Sequence, residues 1–171
     1  VNMPGKGDWG CSMSHLNALQ QFVNSKQSAD CIIFEDDFEF TQDMKTMNRM
    51  FQSFVDQHTN YDVVMLSCNP IDVRPTEYDY LNRVYSAQTA SGYMVSAKFA
   101  PTLLQNFTEG ADLIGKSYNK GKGDDIQGPY CVDQYWKSLQ PNSNWYVFDP
   151  KLGKQRSSVS DIQGGFVEMN V

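Results

Sequence analysis

The sequence predicts an α/β protein with a mainly parallel central sheet. Short apolar runs that suit buried strands alternate with longer segments whose apolar residues recur at helical spacing. The clearest strand is residues 31–34 (CIIF), with a helical pattern on either side of it. Such alternation is typical of sheets whose strands are joined by helices. The ligand of such a sheet binds at the carboxyl ends of the strands.

The remaining elements follow from the same two patterns. We predict helices from residue 12 or 14 to 25 and over 41–58, 97–107 and 129–139, and strands over 62–68, 83–89, 92–95 and 145–148. Residues 71–82 are expected to form an irregular surface loop. Residues 115–128 contain four glycines and three lysines (Lys116, Lys120 and Lys122), which favours a solvated loop that could act as a lid over a ligand.

Composition limits the class of protein and its partners. The 171 residues are 40% hydrophobic, which predicts a single domain over residues 1–171 with a well-formed core. A net charge of −6 argues against non-specific nucleic-acid binding. The apolar runs are too short for a transmembrane segment. Four cysteines without a CxxC pair favour buried thiols in a reducing compartment, here the cytoplasm, over a zinc site.

Three adjacent carboxylates, Glu35, Asp36 and Asp37, lie where the first predicted strand leaves the sheet. Crowded carboxylates repel one another unless a cation offsets their charge, and oxygen ligands favour manganese, magnesium or calcium. On an extended segment Glu35 and Asp37 would project to the same side and share one ion, while Asp36 would face elsewhere. An acidic loop that caps the next helix is the alternative, and the triplet alone leaves both open.

Five blocks, in order, resemble one protein family. They are GDWGCSMSH (7–15), IIFEDDFEF (32–40), ASGYMVSAKFAPTLL (90–104), CVDQ (131–134) and RSSVSDI (156–162). Together they resemble glycosyltransferase family 25, the lipopolysaccharide and collagen galactosyltransferase group. The resemblance implies a GT-A type nucleotide-binding fold. It also implies transfer of galactose or glucose from a nucleotide-diphosphate sugar, such as UDP-galactose, to a hydroxyl group on a glycan, lipopolysaccharide or protein.

The resemblance also implies roles for individual residues. Glu35 and Asp37 would hold Mn²⁺ or Mg²⁺, which stabilises the leaving nucleotide diphosphate. Asp133 is the candidate general base for an inverting transfer. The alternatives are a residue that holds the acceptor or the sugar hydroxyls, and a surface residue near a helix start. The candidate donor-binding residues are Ser14, His15, Asp36, Ser160 and Asp161.

Basic residues and histidines leave more than one interpretation open. Lys154 and Arg156 would pair with phosphate oxygens or belong to a solvated tail. A buried packing residue is the alternative role for His15. His58 lies beyond the apolar stripe of the second predicted helix and is expected to be solvated.

The sequence also departs from the family. Members usually begin with a strand similar to Ile-Asn-Leu-Asp-Arg-Arg, and no segment here matches it. We therefore expect the N-terminal nucleotide-binding strands to be missing, either because the sequence is a piece of a longer chain or because the protein is a shortened relative. Their absence would expose a sheet edge and favour a homodimer. A degenerate domain that binds glycan or a partner without catalysis is the alternative function. A calcium module over residues 35–39 is less favoured, because the spacing of an EF-hand loop is absent.

Overall fold

The computed structural model describes residues 6–119, 128–156, 158–160 and 165–167. The α-helices in these ranges are α1 (Lys6–Ser25), α2 (Met44–Gln57), α3 (Ala100–Asn119) and α4 (Val132–Tyr135). The strands are β1 (Cys31–Phe34), β2 (Phe38–Phe40), β3 (Val63–Met65), β4 (Asn69–Pro75), β5 (Leu81–Gln88), β6 (Gly92–Val95), β7 (Trp145–Phe148), β8 (Gly153–Gln155), β9 (Ser158–Ser160) and β10 (Gly165–Val167). Short 3-10 turns at Gly128–Tyr130, Trp136–Ser138 and Gln140–Asn142 lie next to α4 or between it and β7.

Six strands form the central sheet in the order β1–β6–β3–β7–β5–β4. Among these described strands, β3 and β7 pair in parallel, and the other four neighbouring pairs are antiparallel. The mixed α/β class is confirmed, but the prediction of a mainly parallel sheet is wrong. The tight β4–β5 connection reverses the chain, and residues 89–91 lead directly from β5 into β6 without a helix. Strand β6 therefore runs against its neighbours β1 and β3.

Helices cover both faces of the central strands of the sheet. On one face, α1 and α3 pack through Leu19, Leu103 and Phe107 against strand residues that include Val63. On the other, α2 packs through Phe54 and its neighbours. Because successive side chains of a strand point to opposite faces, Val63 and Met65 join the first cluster, whereas Val64 joins the second. The result is a three-layer arrangement with the sheet in the middle.

Two predicted loops are more regular than expected. Residues 69–75 form strand β4, not part of a loop, and β4 pairs along β5 at an edge of the sheet, where Pro70 and Pro75 are tolerated. Helix α3 continues past its predicted end at residue 107, because Phe107, Ala111 and Ile114 extend the buried face by two further turns. It takes in the start of the predicted lid, and residues 120–127 of that segment lie outside the described residues.

Strands β1, β6 and β7 have the bounds that the sequence predicts. Within the described part of the chain, β1 is an edge strand, with Ile32 and Phe34 about half exposed. Homodimerisation, which was expected from such an edge, stays a prediction. Two small antiparallel pairs, β2–β8 and β9–β10, lie outside the central sheet.

Candidate functional site

Helix α1 brings Cys11 and His15 to the carboxyl end of β1. The two residues are four apart and therefore share one face of the helix. His15 is only 3% exposed. Its Nδ1 lies 3.0 Å from the Tyr93 hydroxyl, and its Nε2 lies 3.0 Å from Glu35 Oε1. Tyr93 is on β6, where it pairs with Ile33 of β1. The histidine thus ties the carboxylate after β1 to the interior of the sheet.

The thiol of Cys11 is a second partner of the same carboxylate oxygen. Its Sγ donates to Glu35 Oε1 over 3.6 Å. Burial and then the negative charge of Glu35 raise the pKa of Cys11 well above its ordinary value, with a further contribution from Asp133. Cys11 is therefore a protonated hydrogen-bond donor at neutral pH, not a reactive thiolate.

The three carboxylates form a turn, which we call the acidic turn (Glu35, Asp36 and Asp37). The Phe38 N–H donates to the Glu35 carbonyl over 3.2 Å and closes the turn. The Glu35 N–H donates to the Ser91 carbonyl over 2.8 Å, next to the start of β6. The expectation that Glu35 and Asp37 lie on an extended segment is therefore wrong, because the chain reverses between β1 and β2.

Phe38 anchors the chain that leaves the acidic turn. Strand β2 pairs with β8, with Phe38 opposite Gln155. The Phe38 ring lies directly over Gly92 and Gly153, and a β-carbon at either glycine would overlap that ring. The two glycines therefore allow the close approach that fixes the position of the acidic turn beside β6 and β8.

Asp37 has one satisfied and one unsatisfied carboxylate oxygen. Its Oδ2 accepts a hydrogen bond from Gln155 Nε2 over 2.9 Å. Its Oδ1 is buried and has no hydrogen-bond partner among the described residues. Desolvation raises the pKa of Asp37, the Gln155 bond lowers it, and the charges of Glu35 and Asp36 raise it further, with a net rise. An unpartnered oxygen beside two other carboxylates suits a hard cation as a ligand. A bound cation would offset the desolvation of Asp37 and the charges of Glu35 and Asp36, which all disfavour the ionised form of Asp37.

Asp133 lies close to the same cluster. Its Oδ2 accepts hydrogen bonds from the Thr89 N–H over 3.1 Å and from Gln134 Nε2 over 3.3 Å. Thr89 has a φ of 77°, which is unfavourable for a β-branched residue, and the Asp133 bond helps to hold that conformation. Asp133 also contributes to the raised pKa of Cys11. The structure thus brings this candidate base, which lies on α4 and far from Cys11 and Glu35 in sequence, close to that pair in space.

The other predicted site residues are either exposed or lie outside the described residues. Ser14 is exposed and donates to the Gly10 carbonyl of its own helix over 2.9 Å. Asp36 is exposed in the acidic turn. The side chain of Ser160, and all of Asp161, Lys120 and Lys122, lie outside the described residues. Lys116 is exposed on α3.

Lys154 and Arg156, the two candidate phosphate ligands, have other partners. Lys154 lies 3.8 Å from Glu39 Oε2 in an ion pair that is about half exposed. Arg156 is exposed, and its backbone N–H donates to the Asp37 carbonyl over 2.8 Å. Backbone contact with the acidic turn is therefore established for Arg156, while phosphate binding by either residue stays a prediction.

Sequence reasoning missed three contributors to the site, Cys11, Tyr93 and Gln155. Cys11 carried a usable signal, because its spacing of four from the predicted residue His15 places both on one face of the helix. Tyr93 and Gln155 carried none, since their roles depend on which strands become neighbours of β1 and β2. That pairing is set by the reversed direction of β6 and by the small β2–β8 pair.

Comparison with known proteins identifies the family. The family model described as glycosyltransferase family 25 (LPS biosynthesis protein) matches residues 4–113, close to two thirds of the chain. The match covers α1, the acidic turn and β6 but ends before Asp133. A search of curated proteins gives no significant match. No helix in the described ranges combines the length and the apolar character that crossing a membrane requires. The residues that build the site on α1, β1 and β6 fall within the matched range, and the chain belongs to glycosyltransferase family 25.

Proposed function

We propose that this family member is a metal-dependent hexosyltransferase with a GT-A type fold. It would move galactose or glucose from a nucleotide-diphosphate sugar, such as a UDP-sugar, to a hydroxyl group of a glycan, lipopolysaccharide or protein. Membership in a glycosyltransferase family supports a nucleotide-sugar donor and a glycan acceptor. The three-layer α/β arrangement and the acidic turn at the carboxyl end of β1 support the finer assignment.

The observation that carries the proposal is the unpartnered Oδ1 of Asp37. Leaving a buried polar atom without a partner costs free energy, on the order of 1–3 kcal/mol. A divalent ion bound by Asp37 and Glu35 would remove that cost. Mn²⁺ or Mg²⁺ suits these oxygen ligands, and when bound it would neutralise charge on the diphosphate as the glycosidic bond breaks.

The protein's own residues supply the positioning and the proton acceptor. His15 and Cys11 hold Glu35 through Oε1, and Gln155 holds Asp37 through Oδ2, so both carboxylates are pre-oriented. In an inverting transfer, the acceptor oxygen bonds to the anomeric carbon while the bond to the diphosphate breaks. Asp133 would take the proton that the acceptor hydroxyl releases.

The test is turnover of nucleotide-sugars in the presence of Mn²⁺, measured as release of the nucleoside diphosphate. We expect activity for wild type and its loss in Asp37→Asn, which keeps the size of the side chain. Asp72→Asn is the matched control, because the Asp72 side chain is about half exposed on β4, at the opposite edge of the sheet, where it pairs with Arg74. Full turnover in Asp37→Asn would remove Asp37 from the site.

A glycan-binding domain without catalysis is the second candidate. It is favoured by the two hydrogen bonds that Glu35 Oε1 already accepts from Cys11 and His15, since these satisfy one of its oxygens without any metal. In the same assay this candidate predicts no turnover with any nucleotide-sugar, together with glycan binding that does not depend on Mn²⁺.

A further inference from the structure

Three different kinds of metal-binding atom converge at the start of the acidic turn. Cys11 Sγ, His15 Nε2 and Glu35 Oε1 all lie within 4.8 Å of one another. The sulfur lies 3.6 Å and the nitrogen 3.0 Å from the carboxylate oxygen. Zinc bonds of about 2.0–2.3 Å in tetrahedral geometry place ligand atoms about 3.3–3.6 Å apart. The sulfur–oxygen separation matches that of a tetrahedral site, the nitrogen–oxygen separation is slightly shorter, and the sulfur lies within 4.8 Å of the histidine nitrogen.

We propose that Cys11, His15 and Glu35 form a binding site for a zinc-class ion. Sulfur, imidazole nitrogen and carboxylate oxygen together suit Zn²⁺, whereas the all-oxygen acidic turn suits Mn²⁺ or Mg²⁺. The site differs from the proposed donor site in its ligands and in the ion it selects. Its existence does not depend on the proposed function.

Tyr93 supplies the hydrogen-bond partner that the second ring nitrogen of a metal-binding histidine needs. With an ion on Nε2, the remaining ring proton is on Nδ1 and points to the Tyr93 hydroxyl, 3.0 Å away. Tyr93 is fully buried, and its hydroxyl can either donate or accept. In the absence of an ion, a neutral His15 whose Nε2 donates to Glu35 accepts a hydrogen bond from the Tyr93 hydroxyl at Nδ1. The same hydrogen-bonded pair therefore serves both states of the histidine.

The ligands are also accessible from solvent. His15 has a side chain that is 4% exposed, but Glu35 is 21% exposed and Cys11 is partly exposed. An ion can therefore enter from the Cys11–Glu35 side and keep water in its fourth position, as open zinc sites do. Binding would displace the thiol proton of Cys11 into solvent and leave the thiolate on the metal.

Glu35 belongs to both proposed sites, which has a consequence for activity. Zinc on Glu35 would withdraw that carboxylate from the ion shared with Asp37. Zinc should therefore inhibit transfer in competition with Mn²⁺. This consequence rests on the proposed function, whereas zinc binding itself does not.

The direct test is titration of the metal-free, reduced full-length chain with Co²⁺, followed by displacement with Zn²⁺. We expect one Co²⁺ per chain, a sulfur-to-cobalt charge-transfer band in the near ultraviolet and the strong visible bands of tetrahedral coordination. Cys11→Ser should lose the charge-transfer band, and Tyr93→Phe should weaken affinity about tenfold. Cys31→Ser is the matched thiol control and Asp37→Asn the matched carboxylate control; both should keep the spectrum.

Several outcomes would overturn the proposal. They are the absence of a charge-transfer band in wild type, an unchanged band in Cys11→Ser, and loss of the band in Asp37→Asn. A measurement that needs no variant is displacement of Co²⁺ from the wild-type protein by Zn²⁺. The charge-transfer band should disappear as one Zn²⁺ binds per chain, and a band that persists in excess Zn²⁺ would contradict the site. Failure of Mn²⁺-dependent turnover would leave each of these results unaffected.

Discussion

The two histidines of the chain show how differently the same side chain is used in two regions of the fold. His15 has both ring nitrogens bonded, one to the Tyr93 hydroxyl and one to Glu35. His58 ends α2 with its ring stacked on Phe54 at 5.1 Å and edge-on to Tyr78 at 4.7 Å. Its Nε2 is buried without a hydrogen-bond partner among the described residues. His15 is thus part of a polar network, and His58 is part of an aromatic cluster.

The difference explains why only one histidine belongs to a candidate site. A buried polar network in which every member has a partner fixes the direction of its groups, here the Glu35 carboxylate. The aromatic cluster around His58 fixes packing but directs no polar group toward a ligand. The expectation that His58 is solvated is correct only in part, because the residue is half-buried and the tyrosines and Phe54 pack against its ring.

The largest difference between the two regions should appear on replacement of each histidine by phenylalanine. His15→Phe leaves the buried Tyr93 hydroxyl without its partner, and we expect a loss of about 1–3 kcal/mol in the free energy of unfolding. His58→Phe removes an unpaired nitrogen from an aromatic cluster and should be neutral or stabilising. Urea denaturation of both variants measures the two changes. Equal losses in the free energy of unfolding would contradict the proposed difference between the polar network of His15 and the aromatic cluster of His58.

A smaller effect should appear in a double-mutant cycle between His15 and Tyr93. Tyr93→Phe alone deprives His15 Nδ1 of its partner, but His15→Phe with Tyr93→Phe removes both polar groups together. The double variant should therefore lose less stability than the sum of the two single variants, with a coupling of about 0.5–1.5 kcal/mol. Additive losses would mean that this hydrogen bond does not stabilise the network.

The pH dependence of stability should reveal the lowered pKa of His58 in the folded protein. Burial lowers the pKa of His58 below its ordinary value of 6.5, and nearby Glu77 opposes this. The unfolded chain then binds a proton more readily than the folded one, so stability is lost as pH falls below 6.5. His58→Phe should flatten this part of the profile in thermal unfolding experiments. A profile identical to that of wild type would show that His58 titrates normally in the folded state.

The smallest effect is expected for the Glu39–Lys154 ion pair, which joins β2 to β8 next to the acidic turn. Both side chains are about half exposed at a separation of 3.8 Å. Glu39→Gln should therefore change the free energy of unfolding by less than about 0.5 kcal/mol. A loss as large as that of His15→Phe would show that the position of the acidic turn depends on surface charge and not on the buried network.

The sequence predicted local features better than their arrangement. Apolar runs placed β1, β6 and β7 at their observed residues, because a buried strand needs a continuous apolar segment. The sequence carries no such signal for the direction of β6. That direction depends on whether residues 89–91 reverse the chain after β5 or let it continue in the same direction. The acidic triplet marked the site, but its turn geometry and the bond from Asp37 to Gln155 depend on the pairing of β2 with β8.

The same limit applies to metal ligands. The absence of a CxxC pair argued against zinc, yet Cys11, His15 and Glu35 meet because α1 packs beside the end of β1. Ligands contributed by two separate elements leave no single motif in the sequence. Only the spacing of Cys11 and His15 on one helix face hinted at their proximity.

The central claim is that the acidic turn binds a nucleotide-sugar through a divalent ion. Isothermal titration of the wild-type chain with a UDP-sugar, with Mn²⁺ and then with a chelator, tests it most directly. We predict binding that requires Mn²⁺ and that is lost in Asp37→Asn but kept in Asp72→Asn. Binding of equal strength in the presence of the chelator, or unchanged binding in Asp37→Asn, would contradict the claim.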